Sequence, residues 1–270
     1  YYFKYDKEYK IDFNSDYYRE FIEDYDVEVI DYLFNKSITP NAMSASIMNL
    51  IYKKKIDIEK IMEKNKESYV FILKTKEGVS ETERELINFL FDKVGNGTKF
   101  SLKELKDYAK GTKSQTFLSN YTSWKNSVIG DGETQKFYED LTKPKLLGVL
   151  YAFIGGGLFY LNVYYQTDII FGYLLFPVAL ILFVYMIAFK RRTTKGAEHY
   201  TKWKAFKKFL NDFGNFKEKD LPEVKLWERY LVYAVVFGIA DKVEKAMNVK
   251  IHEIDPSGTM YNHNFMPLYY

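Results

Sequence analysis

LLGVLYAFIGGGLFYLNVYY (Leu146–Tyr165) and IIFGYLLFPVALILFVYMIAF (Ile169–Phe189), separated only by Gln166-Thr167-Asp168, decide what kind of molecule this is. The stretches are 20 and 21 residues long, and neither contains a charged residue. A helix needs roughly 20 mostly apolar residues to cross the ~30 Å hydrocarbon core, so each stretch is long enough to span a bilayer. A three-residue link permits only a tight helical hairpin. A hairpin buried in a water-soluble domain would instead show an amphipathic period with charges on its outer face. Tyr151, Tyr160, Tyr164, Tyr165, Tyr173 and Tyr185 add the aromatic enrichment found at headgroup level. The reading is a transmembrane helical hairpin.

Details within the hairpin agree with a lipid setting. Gly155-Gly156-Gly157 and Pro177 suit a soluble helix poorly, but neighbouring helices in a membrane tolerate them. The three glycines permit close backbone approach and are expected at a helix-packing or oligomer contact. Lys143 and Lys145 precede the first stretch, and Lys190, Arg191, Arg192 and Lys195 follow the second, while the link has no Lys or Arg. The positive-inside rule then puts both ends of the hairpin in the cytoplasm, with only the link on the far side.

Working outward, the 270 residues carry 39 Lys/Arg against 36 Asp/Glu. Residues 1–142 hold 22 basic and 25 acidic side chains, and residues 143–270 hold 17 and 11, so the basic excess lies beside the apolar stretches. There is no cysteine, which excludes a disulfide framework, a thiol nucleophile and a Cys-based zinc site. The chain opens on Tyr1-Tyr2-Phe3 and closes on Pro267-Leu268-Tyr269-Tyr270, and both ends read as cut from something longer. Tyr1–Tyr5 is similar to the aromatic belt at the cytoplasmic exit of a preceding span.

Before the hairpin, Val27, Val29, Ile30, Leu33 and Phe34 mark a helix. Thr39-Pro40 starts a second, with Met43, Ile47, Met48, Leu50 and Ile51 on its apolar side and Lys53–Lys55 at its end. Ile56–Glu59 and Tyr69–Lys74 read as two strands joined by a polar turn over Glu63–Ser68. Helix, helix, ribbon is the order of a winged helix. A second unit opens on a capping box at Ser80 and Glu83, with Leu86, Ile87, Leu90 and Phe91 as the helix face. Gly95-Asn96-Gly97 is a turn, Phe100–Leu105 begins a short helix, Phe117–Val128 begins a longer one, and Gly130-Asp131-Gly132 is a break. A DNA reader needs a basic face. The helix Pro40–Tyr52 has no Lys, Arg or His and offers Asn41, Ser44, Ser46 and Asn49, so nucleic acid is disfavoured.

After the hairpin, Trp203, Phe206, Leu210 and Phe213 form a helical stripe among Lys202, Lys204, Lys207 and Lys208. One reading lays this helix in the membrane interface, with Lys190, Arg191, Arg192, Lys195, Lys202 and Lys207 on anionic headgroups and Trp203 and Phe206 in the acyl boundary. The other packs the stripe on a following helix that starts at Leu221-Pro222-Glu223 and contains the apolar run Tyr230–Ala240. No active site emerges. His199, His252 and His263, even with Glu253 and Asp255, match no metal-ligand spacing. Phosphate-loop, Gly-x-Ser-x-Gly and His-Glu-x-x-His patterns are missing too. No enzyme activity and no cofactor are expected.

Lys195-Gly196-Ala197-Glu198, Trp203–Leu210, Phe213, Pro222, Trp227–Ala234, Gly238 and Asp241-Lys242-Val243 resemble one bacterial family, the uncharacterised predicted membrane proteins typified by YciQ. Asp31-Tyr32-Leu33, Ala45–Leu50, Ile56-Asp57-Ile58 and Glu83–Leu86 fit it too, so the resemblance runs from about Tyr17 to Val249. It implies the C-terminal part of a larger protein and brings no catalytic residue. The helix Pro40–Tyr52 departs from the family's Leu-Ala-Arg-Arg-Gly pattern, ending in Lys53-Lys54-Lys55 without the glycine.

The expected fold is a mainly α membrane protein. Its parts are a transmembrane hairpin, cytoplasmic winged-helix-like α+β units and a membrane-proximal amphipathic helix pair. The expected segments are 1–16 (juxtamembrane), 17–78 and 79–142 (winged-helix-like units), 143–190 (hairpin), 191–250 (basic and buried helices) and 251–270 (tail). The expected role is a multi-pass inner-membrane interaction module with a protein partner or homo-oligomer. A membrane-tethered DNA-binding regulator and a transport or channel subunit are the alternatives.

Overall fold

The computed structural model describes residues 2–23, 25–63, 66–166, 170–217 and 226–254, with side chains at all of these except 63, 66, 67, 170, 171 and 251–254. A π-helical turn, Tyr2–Asp6, comes first. The main elements follow as α1 (Val27–Asn35), α2 (Pro40–Tyr52), β1 (Ile56–Glu63), β2 (Lys66–Leu73), α3 (Glu81–Ile87), β3 (Lys99–Ser101), α4 (Leu102–Lys110) and α5 (Ser114–Thr134). After them come α6 (Thr142–Tyr164), α7 (Ile170–Ala188), α8 (Thr194–Asn211), α9 (Trp227–Val236) and α10 (Ala240–Ile254). The protein is mostly helical with one small antiparallel sheet in the order β1-β2-β3.

The chain forms two units, Tyr1–Asp12 with Lys136–Glu198, and Phe13–Gln135 with His199–Tyr270. This division cuts across the consecutive segments expected from the sequence. The block 17–78 and residues 79–135 share one unit with most of 191–250, because the elements before and after the hairpin bury their apolar faces on each other.

In the hairpin unit, α6 and α7 pack side by side. Small residues let the backbones approach: a Cβ on Gly148 would lie 2.1 Å from Met186 Sδ, and one on Gly172 would lie 2.3 Å from Asn162 Cγ. Helix α6 is the one described helix long and apolar enough to cross a membrane, and α7 contains a shorter apolar stretch, Gly172–Ala188. The link at Thr167-Asp168 lies outside the described residues. At the base, Leu141, Met186 and Phe189 form a buried cluster with Tyr5 packed against it. The chain entering α6 pairs with the chain leaving α7: Tyr138 bridges Arg192, Glu139 N donates to Arg191 O and Thr193 N donates to Phe137 O.

In the other unit, α1 is buried from Val27 through Leu33, and α2 starts with Pro40 in its first turn. Eight residues of α2 are buried, Ala42 and Ala45–Ile51, since α1 and α9 both pack on it. The ribbon β1–β2 is longer than expected, paired from Ile56↔Leu73 to Glu63↔Lys66. Backbone pairing carries its polar end, which a search for apolar alternation does not register. Phe100 belongs to a strand rather than a helix start: β3 pairs with β2, and the Phe100 ring stacks on Phe71 at 4.6 Å with Phe91 edge-on at 5.0 Å. The capping boxes at Ser80/Glu83 and Ser101/Glu104 are both formed. Gly130-Asp131-Gly132, expected as a break, lies within α5. A Cβ on Gly132 would come within 2.4 Å of Tyr32 Cδ1, so this glycine is a notch where α5 meets α1.

Trp203, Phe206 and Phe209 of α8 meet Tyr230 and Tyr233 of α9 in an aromatic core, with Trp203–Tyr233 and Phe206–Tyr230 centroids 5.1 and 5.5 Å apart. Phe213 packs edge-on against Trp227 at 5.0 Å. Helix α9 stops at Val236, and Gly238 turns the chain with a positive φ of 67°, dividing the apolar run Tyr230–Ala240. The helix start expected at Leu221-Pro222-Glu223 lies outside the described residues.

Candidate functional site

Helix α2 is sheathed by α1 and α9 except along one edge, where Asn41 and Ser44 are exposed and Met43 is half-buried. That edge borders a groove of about 560 Å³. Its floor is Ile47, Met48, Phe71 and Phe100, which the stacked β2–β3 pair and α2 hold in place. Leu102 and Leu105 of α4 form one wall, Val235 and Ile239 the other. The rim is polar, with Asn41, Ser44, Asp241 and Lys242. Helix α4 exists there because Ser101 and Glu104 satisfy its first backbone N–H groups, and its open apolar face supplies the two leucines. The volume is in the ordinary range for binding sites, about 300–1,000 Å³. Its lining offers no histidine, no cysteine and no carboxylate held against a base. This arrangement suits capture of an apolar side chain.

Behind α2 lies a second feature, a buried polar cluster at the junction of α1, α2 and α3. Glu28 is fully enclosed, accepting from Ser46 Oγ at 2.7 Å and Thr82 Oγ1 at 3.0 Å. Glu83, also fully buried, accepts from Lys53 Nζ at 2.8 Å and Asn49 Nδ2 at 3.2 Å, and it closes the Ser80 capping box. Lys53 also reaches Asp26 at 3.4 Å. Two carboxylates, Glu83 and Asp26, thus share one ammonium, and Glu28 is held by hydroxyl groups. Burial pushes the Glu28 carboxyl up to about 7, helped by the charge of Asp26 and more weakly by Glu83, with the Ser46 hydroxyl pulling it down. Burial would lower Lys53, but its bonds to Glu83 and Asp26 outweigh that and raise it. The cluster ties the two halves of the region before the hairpin together. The sequence carries a signal for this cluster: Glu28 and Asp31 sit inside the apolar run Val27–Leu33, and Ser46 sits on the apolar side of α2.

The residues expected at the membrane surface separate into three groups. Trp203 and Phe206 are fully enclosed in the aromatic core, which corrects their placement in an acyl boundary. The stripe found a partner in α9, and aromatic side chains of that size are more stable packed on each other than on water. Arg191 and Arg192 are held within the protein: Arg192 Nη1 donates to Glu8 at 3.0 Å, while Arg191 donates to Lys4 O at 2.7 Å and lies 4.0 Å over the Tyr9 ring. Lys190 and Lys202 are half-buried, Lys195 is exposed with its ammonium 5.7 Å over Phe137, and Lys207 sits 5.6 Å over Phe237.

The glycine expectation also shifts. Gly155 approaches Ala179, where a Cβ would sit at 3.3 Å, but Gly156 and Gly157 face open space. Contacts within the pair instead rest on Gly148 and Gly172, single glycines that a search for a run passes over. His199 is buried beside Tyr25, with Nδ1 3.1 Å from the hydroxyl and Nε2 3.6 Å from Glu23. The side chains of His252 and Glu253, together with Asp255 and His263, lie outside the described residues. Among the described residues, no group of three His, Asp or Glu side chains is placed to hold a metal ion.

A family model described as "Predicted membrane protein (DUF2207) C-terminal domain" covers residues 14–247. No curated protein and no solved structure matches the chain.

Proposed function

The chain belongs to the predicted membrane protein (DUF2207) family, of which it carries the C-terminal domain, and from that premise we propose that it is a membrane-anchored protein-interaction module without catalysis. The observation that carries the interaction role is the groove beside α2, apolar on its floor and polar on its rim. Its occupant is an apolar segment of a partner protein, with polar ends that meet Asn41, Asp241 and Lys242. Hot spots of protein contacts are enclosed apolar pockets of this kind, surrounded by a polar ring.

Anchoring is the work of α6 and α7 as a transmembrane hairpin. Leu146, Leu150, Phe153, Ile154, Leu158 and Leu161 on α6, and Leu174, Phe176, Leu180, Ile181, Val184 and Ile187 on α7, are 46–69% exposed. Burying such a side chain is worth about 1.5–3 kcal/mol. With about half of each surface in water, the twelve together forgo an amount comparable to the net stability of a typical domain, about 5–15 kcal/mol. Lipid removes that cost. With Lys143, Lys145 and Lys190 at the base, the positive-inside rule supports a cytoplasmic location for both ends.

The order α1, α2, β1, β2 supports a winged-helix-like unit turned to protein binding. A DNA-reading role draws no support from α2, whose outward edge offers Asn41 and Ser44 and no cation. The test is a photoreactive amino acid at Met43 in the membrane-embedded protein, with Glu59 on β1 as the reference position. A discrete protein adduct at Met43 that disappears when Ile239→Arg blocks the groove is the expected result. Labelling no different from that at Glu59 would sink the interaction reading.

A further inference from the structure

The segment Tyr2–Lys10 is sorted by side. Its acids are turned to the hairpin base: Tyr185 Oη donates to Asp6 at 3.0 Å, and Glu8 receives both the side chain and the backbone N–H of Arg192. Tyr5 packs on the Leu141–Met186–Phe189 cluster. A π-helical backbone bond, Lys7 N to Tyr2 O at 2.8 Å, closes the turn. Exposed along the segment are Tyr2, Phe3, Lys4, Lys7, Glu8, Tyr9 and Lys10, of which Glu8 is bonded to Arg192 and Tyr9 to Glu139, and Phe3 is 81% exposed. Tyr2 and Phe3 touch edge-on at 5.2 Å, and Lys7 lies 5.7 Å from the Phe3 ring.

Such a face is ill suited to bulk water and well suited to the boundary of a bilayer. Aromatic rings prefer the headgroup level, and exposed lysines beside them meet anionic lipid at about 1 kcal/mol each. Position agrees with composition. Tyr185 stands less than one turn from the end of α7 at Ala188, so Asp6 fixes the segment where the apolar belt gives way to Lys143, Lys145 and Lys190.

We infer that the turn Tyr2–Asp6 is a membrane-interface anchor, seating Tyr2 and Phe3 at the acyl boundary and Lys4 and Lys7 on anionic headgroups. It takes the surface role that the sequence assigned to Trp203 and Phe206, and it rests on the transmembrane reading of α6 and α7.

The chain has no cysteine, so single cysteines can be spin-labelled in the full chain after reconstitution. Phe3→Cys is compared with Leu158→Cys on the lipid-facing side of α6 and with Glu59→Cys on β1, in phosphatidylcholine vesicles with and without phosphatidylglycerol. The label at position 3 should show an oxygen-over-nickel accessibility ratio shifted from the Glu59 value toward the Leu158 value. The shift should grow with phosphatidylglycerol, and Lys4→Gln with Lys7→Gln should abolish that growth. A lipid-like ratio at 158 with an aqueous ratio at 3 overturns the anchor and leaves the hairpin reading standing. An aqueous ratio at 158 overturns both. A shift at 3 that ignores phosphatidylglycerol overturns the headgroup contact of the lysines.

Discussion

On the hairpin, Phe153, Leu158 and Ile181 point outward while Gly148 and Gly172 occupy the helix contact. In the other unit, Trp203, Phe206, Tyr230 and Tyr233 are enclosed while Lys204 and Lys208 point outward. The two regions draw on the same apolar and aromatic side chains and arrange them inside out relative to each other. On the transmembrane reading proposed above, solvent explains the inversion: water drives large side chains inward, whereas lipid leaves close backbone packing as the main source of helix affinity.

That contrast is most sharply broken in the aromatic core. Trp203→Ala should destabilise its unit by about 3–5 kcal/mol, the cost of removing a large buried aromatic. Denaturant unfolding in nanodiscs measures it, and a loss below about 1 kcal/mol would place Trp203 outside a packed core.

Next in size is Glu28→Gln. Because the folded-state value is raised from 4.5 to about 7, the stability linked to this proton is whole below 4.5 and is lost as pH rises through 7. Asp31, raised by burial, acts in the same direction. The variant should remove most of that slope and be more stable than the parent at pH 8 by on the order of 3 kcal/mol. Melting curves at pH 5, 6, 7 and 8 check the sign, and parallel curves for the two proteins would refute it.

On the hairpin, Gly148→Leu drives a side chain into Met186 and should cost about 1–3 kcal/mol of helix pairing. Gly156→Ala, which meets open space, should change pairing little. Cross-linking between cysteines placed on α6 and α7 reports both, and equal sensitivity at the two glycines would contradict the assigned contact. Phe153→Ala in nanodiscs should fall within about 0.5 kcal/mol of the parent. A loss like that at Trp203 would mean that this face of α6 is covered by protein.

How much of this was legible beforehand depended on the physical signal each feature leaves. Composition and length announced α6 and α7, because an uncharged run of 20 residues has few other uses. Pro40 and the Ser80 capping box marked helix starts almost to the residue, since orphan N–H groups demand particular side chains. Partnership was hidden. The stripe Trp203–Phe213 reads the same whether it meets lipid or α9, and only the tertiary packing decides. Gly132 looked like a break because glycine signals both turns and close helix crossings. The groove beside α2 was equally invisible, its walls coming from α4 and the end of α9, far apart in the chain.

The bridge between Tyr138 and Arg192 has a topological consequence. At that point the outgoing and returning strands of chain are already antiparallel neighbours, the geometry that a hairpin loop of two to five residues normally closes. The pair α6–α7 is therefore an insertion with its exit beside its entrance. Joining Tyr138 to Arg192 through a short turn excises the apolar belt at a place where the fold has already closed the loop.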